Sequence, residues 1–297
     1  MPGDVFLVLT INPITPEMKK KRMLIAAMLV VAAVIVAERY SDRTAARPTA
    51  ATEAAAQTPA TEAQPQQRQI ANVEIPRCTD GRTEQIINHI GYTVSYNEDL
   101  CIPNWVAYEL TASEVEGLES RSDKFVPDPM VTGRTATTDD YRNSGWDRGH
   151  MAPAADMKWS RQAMVESFYL SNICPQNHNN NAGVWKKLEE ATRSLAGRFR
   201  FVYVVSGPIV GKAHLKIGPN KVAVPKAFFK CLLVADGDRW QAIGFVTPNE
   251  AGKRPLAEYA HSIDEIEEMT GIDFFPALPD DIEALTEADF DPEIWEI

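Results

Sequence analysis

From Thr44 to Gln69 the chain is almost wholly Ala, Thr, Pro and Gln, and it holds no aromatic residue. Such a stretch cannot bury enough apolar surface to offset the entropy of ordering it. It reads as a flexible linker. Any packed core is therefore confined to the residues that follow, from about Val73 onward. The resulting division is an N-terminal segment over 1–43, a linker over 44–72, a folded domain over 73–280 and an acidic tail over 281–297.

The N-terminal segment has the form of an address. Lys19, Lys20, Lys21 and Arg22 precede an apolar run from Met23 to Ala37. That run is short for a full membrane span and suits a signal peptide or a signal anchor; both readings stay open. The positive flank then predicts an exported domain, periplasmic or extracellular, secreted or held at the membrane by its N-terminus. Export makes disulfides permissible. Of the four cysteines, Cys78 and Cys101 bracket a short segment at the start of the domain and are the expected pair. Cys174 and Cys231 are expected to be buried free thiols.

The folded part mixes strand and helix signals without a βαβ rhythm, so the fold class is α+β. Tyr92–Tyr96 and Trp105–Leu110 read as strands joined by a turn over 97–103. A short helix is expected over 113–120, and another over 160–167 capped by Ser160. A buried strand is expected over 168–173. The clearest helix spans 182–196, where Trp185, Leu188, Thr192 and Leu195 recur at three- and four-residue spacing and Gly197 supplies a stop. Strands over 201–206, 221–234 and 240–246 follow, then a helix over 256–269 closed by Gly271.

With 30 Lys and Arg against 41 Asp and Glu, the net charge is −11. That sign excludes a protein that coats nucleic acid through bulk charge. Residues 264–297 contain no Lys or Arg and read as a solvating tail. If the substrate is a polyanion, positive potential must be local, and a divalent ion must supply part of it.

One motif can do this. Asp147, Arg148, Gly149 and His150 stand about thirty residues before a polar cluster, Asn177, His178, Asn179, Asn180 and Asn181, which opens the Trp185 helix. A histidine can act as a general base near neutral pH. An asparagine can offer a neutral oxygen to Mg²⁺, which needs few protein ligands because it keeps several waters. Gly149 would permit a tight turn ahead of His150. Arg148 suits either a salt bridge to Asp147 or a phosphate contact. Capping a helix needs one Asn, not four in five residues, so the cluster points to function. By spacing alone Glu189 is an exposed helical glutamate beside Lys186.

The segments Tyr141–Pro153, Phe168–Gln176, and Asn181 with Trp185–Glu189 closely resemble the DNA/RNA non-specific endonucleases. Val205–Pro208, Val222–Pro225, Phe228–Lys230 and Gly244–Val246 extend the resemblance, which runs from about Ile75 to Phe275. It implies a ββα-metal (His-Me finger) fold, with a central, mainly antiparallel sheet flanked by helices. It implies His150 as general base, Asn181 as the protein ligand of Mg²⁺ or Mn²⁺, and Arg148 as an organiser of the site. The family's helical glutamate falls on Glu189, holding metal-bound water, which reverses the reading from spacing. Arg134 is the expected upstream arginine on the phosphate. The implied activity is hydrolysis of DNA and RNA with little sequence preference, leaving 5′-phosphate and 3′-hydroxyl ends. A homodimer is a further expectation. A DNA-restricted nuclease and a catalytically silent nucleic-acid-binding module are the alternatives.

Overall fold

The computed structural model describes residues 70–237 and 239–296. The basic and apolar N-terminal segment and the linker up to Gln69 lie outside the described residues. Among those described, no helix is long and apolar enough to cross a membrane.

The strands are β1 (Arg77–Cys78), β2 (Gln85–Asn88), β3 (Thr93–Asn97), β4 (Ile102–Thr111), β5 (Asp147–His150), β6 (Ile173–Gln176), β7 (Phe201–Ile209), β8 (Lys216–Ile217), β9 (Val222–Ala223), β10 (Ala227–Asp236), β11 (Arg239–Pro248), β12 (Ala260–His261) and β13 (Ile272–Asp273). The helices are α1 (Ala112–Val115), α2 (Thr138–Tyr141), α3 (Arg161–Glu166), α4 (Lys186–Phe199), α5 (Ile263–Thr270), α6 (Asp280–Glu287) and α7 (Pro292–Trp295). Seven strands form one antiparallel sheet in the order β12-β11-β10-β7-β4-β3-β2.

The central strands are buried on both faces, and their alternation assigns each residue to one of two cores. Val106, Tyr108, Val204, Phe228 and Leu232 enter one cluster. Their neighbours Trp105, Ala107, Val205, Phe229 and Leu233 enter the other. The first core is closed by α4, through Trp185, Leu188, Leu195 and Phe199, and by Ile173 and Cys174 of the separate β5–β6 hairpin. The second is closed by Ile263 and Ile266 of α5 with Phe274, Phe275 and Leu278. The α+β expectation, an antiparallel sheet between helices, is met. The hairpin followed by α4 is the ββα unit.

Several local expectations are corrected. Residues 168–173 are not a strand. The chain makes a 3₁₀ turn over Leu170–Asn172 and turns extended only at Ile173. The buried side chains of Ser171 and Asn172 bond to Asp128 Oδ2 and to the Ala152 and Ser167 backbone, drawing this segment out of any ladder. The first helix is a single turn, capped by Thr111 rather than Ser113. The helix expected over 256–269 is broken: a 3₁₀ turn precedes β12, and Ser262 caps a fresh start at Ile263. Gly271 closes that helix as expected, at φ 66°. Gly197 does not stop α4. The helix runs on to Phe199, and left-handed Arg200 ends it at φ 74°.

The acidic C-terminal segment is no solvated tail. It forms α6 and α7, and Trp295 packs into the first core at 2% exposure. Burying one indole outweighs the solvation preference of the exposed carboxylates beside it, Asp291, Glu293 and Glu296. The Cys78–Cys101 bridge is not made either: all four cysteines are free. Cys101 Sγ lies against the carbonyls of Glu98 and Asn220, whereas Cys78 sits beside Glu84 and Trp105. Closeness in sequence did not bring the two thiols together.

Candidate active site

His150 ends β5, whose register pairs His150 with Ile173, Gly149 with Cys174 and Asp147 with Gln176. Gly149 therefore serves no turn. It lies in extended strand, and a Cβ there would run into the Gln176 side chain. His150 is buried, 8% exposed, between the rings of Phe125 (centroids 5.4 Å apart) and Phe168 (4.9 Å, edge to face). Its carbonyl accepts a hydrogen bond from Trp185 Nε1 at 3.1 Å. Its Nε2 is buried and has no protein partner. Burial, then the charges of Arg121 and Arg148, push the imidazole down to about 3. It is held neutral, the form a general base requires.

Four asparagines separate into different jobs. Asn177 Oδ1 accepts from the backbone of Asn179 and Asn180 and organises the turn. Asn180 is fully buried: its Oδ1 accepts from Gln176 and its Nδ2 donates to Pro248 O. Asn181 lines an open cleft of about 450 Å³ together with Asp147, Arg148, Arg142 and Tyr141. Its Nδ2 donates to Asp147 Oδ2 at 3.0 Å, which fixes the amide and leaves Oδ1 for a ligand. The exposed His178 shares that carboxylate, Nδ1 to Oδ2 at 2.9 Å. Asp147 is thus the holder of the asparagine cluster and not the salt-bridge partner of Arg148. Arg148 instead stacks over Phe125, its guanidinium carbon 4.3 Å from the ring centroid, and faces the cleft.

Asn181 lies in a widened turn over Asn180–Trp185 that leads into α4, with a break at Gly183 (φ −107°, ψ −108°). Glu189 is in the first turn of α4, half-buried beside a charged group comprising Lys230, Asp156, Arg193 and Arg121. Burial raises its carboxyl to about 8, against the pull of Lys230. The exposed glutamate that spacing suggests is therefore wrong. Lys230 is fully buried, donates to Ser206 Oγ at 2.6 Å, and rests on the Trp185 ring. Arg193 donates to Asp156 Oδ1 at 2.8 Å, and Tyr108 Oη to Asp156 Oδ2 at 2.8 Å.

Arg134 does not join this site. Its guanidinium donates to the carbonyls of Glu98 (3.0 Å) and Asp99 (2.5 Å), and it does not line the cleft. A different upstream arginine, Arg121, lies near His150 and Glu189. Its charge is felt by both His150 and Glu189, and its guanidinium lies over Phe168, the ring that packs on His150. Nothing in local spacing distinguishes Arg121 from Arg134; only the packing of Phe168 does. Arg193, one turn beyond Glu189, belongs to the same charged group, and its i, i+4 spacing from Glu189 is readable in the sequence.

The amide oxygen of Asn181 and the half-buried carboxylate of Glu189 are hard-oxygen groups, which suit Mg²⁺ or Mn²⁺ and its bound waters better than a soft metal. A cation there would also relieve the cost of burying Glu189 beside Asp156. The residues present fit the ion.

With that geometry the comparisons agree. Residues 71–281 match the family model described as DNA/RNA non-specific endonuclease. The chain belongs to the DNA/RNA non-specific endonuclease family. It is 42% identical over 220 residues to the mitochondrial nuclease EXOG of Xenopus laevis, covering 68% of this chain and 61% of that one. It is 36% identical over 209 residues to the mitochondrial endonuclease G of Bos taurus, covering 65% and 70%. A solved structure of an EndoG/EndoGI complex superposes with a TM-score of 0.66 at 28% identity, over 72% of this chain and 92% of that one. The chain thus spans about three fifths of the length of the EXOG relatives it matches. This is a metal-dependent family of nucleases with nucleic acid substrates. The exported location expected from the N-terminus is overturned: the EXOG and endonuclease G relatives are mitochondrial proteins.

Proposed function

We propose that the protein is a Mg²⁺-dependent endonuclease that hydrolyses the phosphodiester bonds of both DNA and RNA with little sequence preference. The observation that carries this reading is the hydrogen bond from Trp185 Nε1 to the His150 carbonyl, which ties β5 to the Asn180–Trp185 turn that holds Asn181 and leads to Glu189 in α4. His150 is already neutral and takes the proton from the attacking water. Asn181, its amide turned by Asp147, has Oδ1 free as the atom that would hold the ion, and Glu189 would accept a hydrogen bond from water in the ion's shell. When bound, Mg²⁺ neutralises charge on the phosphoryl and leaving oxygens. Arg148 and Arg121 supply the local positive potential that a chain of net charge −11 otherwise lacks. A site that grips phosphate reads no base edges, so weak sequence preference follows.

The test is incubation of the full chain with supercoiled plasmid and with RNA, in Mg²⁺ and in EDTA. Metal-dependent cleavage of both substrates is expected, falling at least about a hundredfold in His150→Ala as the loss of a general base requires. Intact RNA with cut DNA would narrow the enzyme to DNA. Intact substrate throughout, with the protein folded, would overturn the reading in favour of a binding module. The proposal includes a homodimer, tested by sedimentation of the same sample.

A further inference from the structure

Far from the catalytic cleft, α5 and α6 pack side by side against β11 and bring three carboxylates together. Oxygens of Asp264, Glu267 and Glu287 all lie within 4.8 Å of one another. Clustering alone would mean little on an acidic surface. The decisive observation is Glu287: it is 4% exposed, and its Oε1 is buried with no hydrogen-bond partner. A buried carboxylate oxygen without a partner is costly and calls for a ligand. From these observations we infer that Asp264, Glu267 and Glu287 form a second, structural site for a hard divalent cation, with Ca²⁺ the best fit.

Three features support this assignment. The donors are all carboxylate oxygens, the ligand type of Ca²⁺ and Mg²⁺. The oxygens all lie within 4.8 Å of one another, close enough to share one ion, and Ca²⁺ tolerates an irregular set of carboxylates that Mg²⁺, which demands near-ideal octahedral geometry and keeps its waters, does not. A proton joins two oxygens, whereas this site gathers three. The surroundings add to the field: Asp273 and Glu283 face the same carboxyls. The nearby guanidinium of Arg77 is bound to Asp273 at 2.5 Å. Within residues 264–297 no Lys or Arg could neutralise them. Glu267 is partly fixed already, since it accepts from the Phe274 backbone at 2.7 Å, and exposed Asp264 leaves a mouth for entry. Bound there, the ion would tie the C-terminal helix α6 to α5 and the sheet.

This inference does not depend on the nuclease reading, and its test reads binding. Ca²⁺ is titrated calorimetrically into the full chain carrying Asn181→Ala, which silences the cleft. One Ca²⁺ is expected to bind at about 10⁻⁴–10⁻³ M, the range of simple carboxylate sites. In 10 mM Ca²⁺ the melting temperature should rise by roughly 5 °C. Glu287→Gln should weaken binding at least tenfold while leaving Mg²⁺-dependent cleavage unchanged. Asp264→Asn, at an exposed position that cannot disturb packing, should weaken it too. No Ca²⁺ binding by the Asn181→Ala chain, or unaltered binding in Asp264→Asn and Glu287→Gln, would overturn the site.

Discussion

Asn172 is where the placement of His150 can be tested without touching the chemistry. This residue is fully buried and makes three side-chain bonds: its Oδ1 accepts from Ala152 N (2.8 Å), and its Nδ2 donates to Ala152 O (2.9 Å) and Ser167 O (2.8 Å). It therefore clamps the backbone two residues beyond His150. Asn172→Leu keeps the volume but strands one N–H and two carbonyls in a dry interior. Each unmet group costs about 1–3 kcal/mol. Allowing for partial relaxation, the total is about 3–6 kcal/mol, a large share of a typical domain stability of about 5–15 kcal/mol. Urea unfolding followed by tryptophan fluorescence measures the loss, and the midpoint should fall with the denaturant slope unchanged. Cleavage by the remaining folded fraction should also drop, by roughly a hundredfold, because a displacement of about 1 Å at the base suffices for that. A loss of stability below about 1 kcal/mol would refute the reasoning, since the clamp would then be dispensable.

Other outcomes follow from the same geometry. His150 is held neutral well below physiological pH, so kcat/KM should not fall between pH 8 and pH 6 through its protonation; a single acid limb near pH 6.5 would show an ordinary histidine instead. Arg121→Ala should lower cleavage at least tenfold, and Arg134→Ala should leave it nearly unchanged; the reverse order would restore Arg134 to the site. Asn181→Ala should abolish metal-dependent cleavage in a stable protein, whereas Asn180→Ala should mainly destabilise it, by about 2–4 kcal/mol for its two lost bonds; melting curves of the two variants decide. In EDTA, Glu287 has a folded pKa near 9, raised by burial and then by Glu267, above the ordinary 4.5. The protonated form is therefore favoured by folding, and its contribution is complete below pH 4.5 and lost as pH rises through 9. Glu287→Gln should equal the parent at pH 5 and exceed it in stability at pH 9; equal melting temperatures at both pH values would count against this.

The sequence showed the strands of the central sheet well, because Tyr92–Tyr96, Trp105–Leu110 and Phe228–Leu233 are dense in β-branched and aromatic residues and bounded by turns. It singled out His150, Asn181 and Glu189 through ordered motifs resembling those of the family that residues 71–281 match. Three things could not be read locally. Glu189 looked exposed because the charged groups that surround it, Lys230 and Asp156, come from far away in the chain. Arg121 and Arg134 are indistinguishable until Phe168 is placed against His150. The C-terminal segment looked solvated because its acidity hides one buried tryptophan, Trp295, which joins a core whose other members come from as far back as Ile87. The 168–173 stretch misled for the opposite reason: apolar residues suggested a ladder, but Ser171 and Asn172 had side-chain partners that the strand would have denied them.

The bond from Trp185 Nε1 to the carbonyl of His150 has a wider meaning for how such an enzyme tolerates varied polymers. The amide proposed to hold the ion, the indole that bonds to the backbone of the proposed base, and the carboxylate beyond them occupy nine consecutive residues, Asn181–Glu189. Base and ion are thereby gauged against a single short rule, laid across one hairpin. Swapping a ribose for a deoxyribose, or a purine for a pyrimidine, leaves that rule untouched. Accommodation falls instead to the open side of the cleft, where Arg142, Thr138 and Trp146 face solvent. On the proposed function, indifference to the sugar and a fixed reacting geometry would be two products of one arrangement.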